Sequence, residues 1–404
     1  MLIIASLAAV AYGDDNNNIS IGALVYLTGD GSSSGINSKA ALEMAANDVN
    51  SYQEKIGSED RICLRIEDTG SDPAKALREL KNLSQDGTKV VIAATSSAEL
   101  AAIKDYADEN GIMIIGTAST APSLAIPGDN LIRLAPDDTN QGFAMAQVLK
   151  MENISAIVPI TRGDLWGDDL LNATAKNFEV DGGKVLQGIR YSPGDDLSSE
   201  VEALSSLVKE AKSSYGSVDV GVYIVSLDEA SSILALAAKY PELSSVKWFG
   251  SDGTAGSDII SENSTLAQFA SKVGLVSPYL LAFSDEQRYK KVQDAIMQET
   301  GSKPNFYAFA SYDALWVCAE SMTATKTADS GQIKEALIHT INRYNGITSI
   351  LNLNDADDKE RATYDLIEVK EASGSYSWQS KGQFAKYSPG DYEINWKGQT
   401  FEVD

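Results

Sequence analysis

Two loops place hydroxyl groups where they could hold an anion. Ser97 stands directly before a helix-forming stretch at 98–109, and Thr120 directly before a short turn at 121–125. A hydroxyl beside the unpaired N–H groups of a helix start is a ready carboxylate site. Helix capping alone would also account for both residues. Groups for catalysis are scarce. His339 is the one histidine, and beside Leu337, Ile338 and Ile341 it reads as a helix-surface residue rather than a base. The run Gly29-Asp30-Gly31-Ser32-Ser33-Ser34-Gly35 lacks both the Gly-Lys-Ser/Thr ending of a P-loop and the G-x-G-x-x-G spacing. There is no G-x-S-x-G elbow either. The acid pairs Asp168-Asp169 and Asp357-Asp358 read as solvated turns. Binding without chemistry is the expectation: no enzyme, no metal and no cofactor.

The bulk composition points the same way. The 404 residues include 33 basic against 57 acidic ones, a formal net charge of -24. Such a balance argues against nucleic acid, which needs a basic footprint, and against docking on an anionic membrane surface. Small anions stay open, because they respond to local fields. Cys63 and Cys318 lie far apart, without metal spacing, each in an apolar stretch. Two buried free thiols are expected, with a disulfide as the alternative. Residues 1–12 form an apolar run ending in the A-x-A pattern Ala9-Val10-Ala11. Too short to span a bilayer and without a basic start, it reads as a secretory signal truncated at its beginning. The expected location is therefore extracellular or periplasmic. Asn18, Asn82, Asn153, Asn172 and Asn263 head Asn-x-Ser/Thr sites, which fit an exported chain but add little weight. No later segment is apolar enough to cross a membrane.

The elements that must position these loops alternate in type. Residues 19–27, 61–67, 89–94 and 112–115 read as strands, and 38–50, a stretch opened by Asp72-Pro73, and 99–109 as helices. A second strand–helix series runs from 154 to 251. Each β-α-β-α-β order implies a parallel sheet covered on both faces, so the chain should be α/β with two lobes. Helices are expected at 285–300, 312–325 and 332–344, then strands at 363–369 and 376–379, with 387–404 as a surface extension.

Several local patterns then line up in order. They are Leu27-Thr28-Gly29, Thr95-Ser96-Ser97 and Ser119-Thr120-Ala121-Pro122-Ser123-Leu124. Next come Arg133-Leu134-Ala135-Pro136-Asp137-Asp138 with Gln141-Gly142, and Asp164-Leu165-Trp166-Gly167. Last are Gly250-Ser251-Asp252-Gly253 and Ser311-Tyr312-Asp313-Ala314-Leu315. In this order, over residues 18–370, the chain resembles the type I periplasmic binding proteins. Within them it is most similar to the branched-chain amino-acid (Leu/Ile/Val) receptor group of ABC transporters.

The resemblance implies two Rossmann-like lobes with parallel central sheets, joined by three hinge crossovers near 135–139, 276–279 and 344–348. After a leader at 1–17, lobe one would comprise 18–136 and 278–345, and lobe two 137–277 and 346–404 with a C-terminal extension. It places carboxylate contacts at Ser97 and Thr120, a backbone carbonyl for the ligand ammonium at Ala118, and Ser34 in the pocket lining. Asp252 matches an acid that pairs with the ammonium, one methylene shorter than the family's usual Glu; an ordinary turn would also explain it. Trp166 and Leu227 fall where the family has tyrosines against the ligand side chain, and Tyr307 near an aromatic wall. Trp166 and Tyr26 would serve equally as core. Arg162 reads as a surface residue, or as one reaching a second ligand carboxylate. The implied function is capture of an amino acid, branched-chain or otherwise apolar, for a membrane permease by a monomeric protein. The alternative is a sensor module for an amino acid, amide or small carboxylate.

Overall fold

The computed structural model describes residues 17–194, 196–215, 220–282 and 286–403. The expected leader, up to residue 16, lies outside them. Strands β1 (Asn18–Val25), β2 (Arg61–Asp68), β3 (Val90–Ala94), β4 (Met113–Gly116) and β5 (Leu131–Arg133) are interleaved with helices α1 (Ser32–Lys55), α2 (Pro73–Gln85) and α3 (Ser97–Asn110). They pair in parallel in the order β2-β1-β3-β4-β5. β3 is Val-Val-Ile-Ala-Ala and buried throughout, as a strand covered on both faces must be. Asp72 caps α2 through the N–H groups of Ala74 and Lys75, with Pro73 as the first helical residue.

The second series comes next in the chain. It holds α4 (Asp138–Met151), β6 (Ala156–Arg162), α5 (Leu165–Val180), β7 (Lys184–Val185), β8 (Ile189–Tyr191), α6 (Ser198–Tyr215) and β9 (Val220–Val225). It continues through α7 (Ala230–Ala237), β10 (Lys247–Gly250), α8 (Asp258–Glu262), α9 (Ser264–Val273) and β11 (Val276–Leu280). Helices α10 (Glu286–Thr300), α11 (Phe306–Thr325) and α12 (Ser330–Ile341) then return to the first sheet, where α11 packs on α1, β1 and β3. A small hairpin succeeds them, β12 (Asn345–Gly346) and β13 (Ser349–Ile350). The chain closes with β14 (Ala362–Ala372), β15 (Ser375–Ser388), β16 (Asp391–Trp396) and β17 (Gln399–Val403). These four strands extend the second sheet, ordered β17-β16-β15-β14-β11-β10-β9-β6-β7, as an antiparallel meander on β11.

The fold departs from the sequence-based expectations in several places. Residues 276–280 form β11 inside the second sheet rather than a crossover. The third passage falls after Lys359, not at 344–348. Arg133 N–H donates to Asp357 O, and Lys359 N–H donates to Arg133 O, so this stretch pairs with β5 of the first sheet. The tail is no surface extension. It continues the second sheet through β16 and β17, with Ile394 and Trp396 buried, and Glu152 holds Lys247 of β10, Lys381 of β15 and Lys397 of the β16–β17 turn at 2.7–3.3 Å. These lysines keep the Glu152 carboxyl at about 2, against the pull of burial. Both cysteines are free, but Cys63 is exposed, because β2 is an edge strand and its side chains alternate between core and solvent. Cys318 is buried, which pushes its thiol well up.

Asp358 is also not a solvated turn residue. It forms a two-pronged pair with Arg133, Nε to Oδ1 at 2.6 Å and Nη2 to Oδ2 at 2.5 Å, with both side chains at most 1% exposed. Arg133 Nη1 reaches Ala121 O at 2.8 Å, which fixes the loop after β4. Removing one partner strands a buried charge. Asp358→Asn is expected to cost about 3–5 kcal/mol, seen as a lower urea midpoint at unchanged slope. The double replacement Arg133→Met/Asp358→Leu should cost less than Asp358→Asn. An unchanged midpoint in Asp358→Asn would show that the pair does not hold the passage.

Candidate ligand-binding site

Loops at the carboxyl ends of the strands in both sheets meet, where ligands of open α/β sheets bind. Ser33 Oγ donates to both oxygens of Asp228 at 3.0 Å. Arg162 Nη2 reaches Asp30 at 3.2 Å, and Ser123 N–H donates to Asp169 at 2.9 Å. Each contact joins the first series to the second.

On the first side, Ser96 rather than Ser97 is the cap of α3. Its hydroxyl accepts from Glu99 N–H while the Glu99 carboxylate accepts from Ser96 N–H, a reciprocal capping box. Ser97 is thereby released for other work. Its buried hydroxyl accepts from Ser119 Oγ at 3.0 Å and from Ala121 N–H at 3.2 Å. A hydroxyl has two acceptor sites and one proton, so Ser97 keeps its proton to donate. Thr120 is the opposite case. Its hydroxyl donates to Asp138 Oδ2 at 2.7 Å, which leaves it acceptor capacity only. A carboxylate would find its donors at Ser97 and in the first turn of α3, and an ammonium would find an acceptor at Thr120. Ala118 is partly exposed between buried Thr117 and Ser119.

The structure adds a second acid to Asp252. Asp138 is fully buried at the start of α4. One turn on, Gln141 Nε2 donates to Asp138 Oδ1 at 2.7 Å and to Asp252 Oδ1 at 2.9 Å. Its Oε1 accepts from Asp252 N–H at 2.9 Å. The Tyr307 phenol, from α11, donates to Asp252 Oδ2. Among the described residues, neither acid has a Lys or Arg partner. Burial pushes the Asp138 carboxyl well up, and repulsion from Asp252 adds to it. Burial also raises Asp252, only partly offset by the hydrogen bonds from Tyr307 and Gln141.

Apolar groups close the other side. A Cβ on Gly253 would collide with Ser226 O and lie 2.8 Å from Leu227 Cδ2 and 3.1 Å from Trp166 Cη2. Only glycine fits there, and it brings Asp252, Leu227 and Trp166 together. Trp166 is set by an equally tight start to α5. Asp164 caps Gly167 N–H, and a Cβ at Gly167 would run into Arg162 O. Trp166 belongs to the main core as well as to this wall. Leu227 and Tyr26 both flank Gly31. Ser34 contacts the buried Tyr26 phenol and accepts from Asn305 at 2.9 Å. Arg162 is neither a surface residue nor open to a ligand carboxylate, being buried against Asp164, Glu229 and Asp30. His339 is exposed on α12. Asp138 and Gln141 stand in one of the ordered sequence motifs without a role of their own, because nothing in the spacing says that the first turn of α4 comes back to residue 252.

Residues 37–372 match the model of a family described as the receptor family ligand binding region. The leucine-, isoleucine-, valine-, threonine- and alanine-binding protein of Pseudomonas aeruginosa is 23% identical over 371 residues, covering 91% of this chain and 93% of its own length. A branched-chain amino-acid transporter substrate-binding protein from Streptococcus pneumoniae, solved with isoleucine, superposes with a TM-score of 0.72 at 19% identity, over 90% of this chain and 99% of that one. A solute-binding protein of an ABC transporter from Rhodopseudomonas palustris, solved with 3,4-dihydroxybenzoic acid, gives 0.73 at 17% identity, over 92% and 98%.

A carboxyl raised by folding favours the folded state at low pH and loses that contribution as pH climbs through its raised value. Relative to the native chain, Asp138→Asn should therefore gain stability as pH rises. The melting-temperature difference, variant minus native, should be more positive at pH 8 than at pH 5. A difference independent of pH would mean that Asp138 is ionised throughout.

Proposed function

The chain belongs to the receptor family of ligand-binding regions, with the type I periplasmic binding protein fold, and from that premise we propose that it captures a zwitterionic amino acid. The observation that carries this is the acid pair of buried Asp138 and half-buried Asp252, joined by Gln141 without a protein cation among the described residues, near the hydroxyl and N–H donors at Ser97 and α3. An acid pair on one side and anion-binding donors on the other suit an ammonium and a carboxylate on one small molecule. Trp166, Leu227, Tyr26 and Tyr307 would face its side chain, which favours apolar amino acids such as those named for the Pseudomonas relative. Ser34 and Ala118 complete the lining.

Ligand would settle on the first lobe and the second would close over it by hinge motion at the crossovers. A few charged hydrogen bonds of about 1.5–3 kcal/mol each, with apolar burial, suffice for roughly micromolar binding. The closed form would then be delivered, outside the cytoplasm, to the membrane permease of an ABC transporter. A second reading, a carboxylate without an ammonium, is favoured by the Rhodopseudomonas neighbour and its aromatic acid. In either case the module could serve a sensor instead of a permease.

A thermal-shift screen of amino acids, their amides and matched carboxylates separates the two ligands. Ligand at about a hundred times its Kd should stabilise the protein by about 2.7 kcal/mol, and amino acids should do so. Stabilisation by amine-free carboxylates alone would reject the reading. Asp252→Asn is expected to weaken amino-acid binding by about 1.5–3 kcal/mol with little change in the ligand-free melting temperature. Equal affinity in the variant would remove Asp252 from the site.

A further inference from the structure

An amino acid bound in this cleft would present its ammonium to Asp252. A single amide nitrogen, Gln141 Nε2, ties Asp252 to a second carboxylate, Asp138. Among the described residues, the other donors to the pair are neutral: the Thr120 hydroxyl for Asp138, and the Tyr307 phenol and the Gly253 backbone N–H for Asp252. Among the described residues, the titratable groups around them supply no positive charge. Asp137 adjoins Asp138 on α4, Tyr223 comes from β9, Tyr364 from β14, Tyr307 from α11, and Tyr26 from the end of β1. Two carboxylates bridged by one amide, one of them fully buried and neither facing a cation among the described residues, are placed to titrate as a pair.

Taking amino-acid capture as the function on which the idea rests, we propose that Asp138 and Asp252 form one cation site that exchanges its proton for the ligand's ammonium. Before binding, the pair carries one proton and one negative charge. As the ammonium arrives, the carboxyl O–H bond breaks, the proton passes to solvent, and the pair becomes doubly ionised around the new cation. Counted over the two carboxyls and the ammonium alone, the charge is the same before and after, so that part of the site is not asked to hold an extra ion. The ligand carboxylate brings the additional negative charge and is met by the donors at Ser97 and α3. Thr120, whose hydroxyl touches Asp138, offers the ammonium a further acceptor on the first lobe. Asp138 is a positioning and charge-balancing residue in this scheme, and Gln141 sets its distance from Asp252. A carboxylic acid without an amine has nothing to exchange, so the pair would select for amines.

Proton and ammonium compete for the same pair. Below the range where the pair gives up its shared proton, affinity therefore falls as pH falls. The limit is about tenfold per pH unit for one proton released.

Isothermal titration of the full chain with L-leucine, in phosphate and in Tris at matched pH between about 5 and 8, counts the protons released. 4-Methylpentanoate, leucine without its amine, is the control. Up to one proton per leucine is expected, with affinity rising with pH, and no such release with 4-methylpentanoate. In Asp138→Asn, leucine should still bind while the release and the pH slope disappear. Leucine binding with no proton release anywhere in this range would overturn the exchange and leave amino-acid binding intact. So would the same slope in Asp138→Asn as in the native chain. If Asp138→Asn fails to fold, the proton count on the native chain decides alone. A panel in which no amino acid binds would reject amino-acid capture, and the exchange with it.

Discussion

A carboxylate removed from water needs a cation or a proton, and this fold ties one, Asp138, through a single glutamine side chain to a second, half-buried acid, Asp252. The cost of an isolated buried charge is many kcal/mol, so the surroundings of Asp138 and Asp252 cannot be incidental. They come from four separate parts of the chain. α4 supplies Asp138 and Gln141, the loop after β10 supplies Asp252, the loop after β4 supplies Thr120, and α11 supplies Tyr307. The network is therefore also a joint. Thr120 and Tyr307 belong to the first sheet's layer, and Gln141 and Asp252 to the second. Arg133 holds the Thr120–Ala121 loop from behind, through its bond to Ala121 O, and is itself fixed by Asp358 in the last passage between the sheets. An unbroken chain of direct contacts thus links the hinge to the site.

The other bonds across the cleft are of a different kind. Ser33 and Asp228 are exposed, and the Asp30 side chain that meets Arg162 is 41% exposed. Pairs of this sort contribute roughly 0–1 kcal/mol each. They guide the lobes into register but are too weak to hold them shut. Asp252 and Leu227 are only half-buried, so a ligand seated against them would bury them further. A cation between the carboxylates would turn an unfavourable contact between lobes into a favourable one. In this way the affinity for ligand and the tendency to close become a single quantity.

Much of the layout is legible in the sequence because it rests on local periodicity. The two α/β series, the Asp72-Pro73 helix start and the exposed histidine follow from residue types a few positions apart. The wrong expectations are non-local. Asp358 looks like a turn acid because its partner is 225 positions away. The tail looks peripheral because its buried Ile394 and Trp396 alternate with more exposed residues along β16. Ser97 looks like a cap, and only the Ser96–Glu99 capping box shows that its neighbour does that job. Asp138 is visible as a motif letter and nothing more, since burial and proximity to residue 252 are properties of the assembled sheets.

Global charge and local charge then select in the same direction. A net charge of -24 disfavours anions at long range, although salt confines that field to about 8 Å at physiological strength. A zwitterion carries no net charge and approaches without penalty. Inside the cleft the ordering of contacts matters more. Ser97 and the first turn of α3 can hold any small carboxylate, so they discriminate little. The acid pair responds only to a positive group, and a ligand lacking one would leave Asp138 and Asp252 as they were, protonated in part and uncompensated. For an amino-acid ligand, recognition of the ammonium would therefore come first in energy, the carboxylate contacts would supply orientation, and the apolar wall at Gly253, where no side chain fits, would be left to choose among side chains by shape.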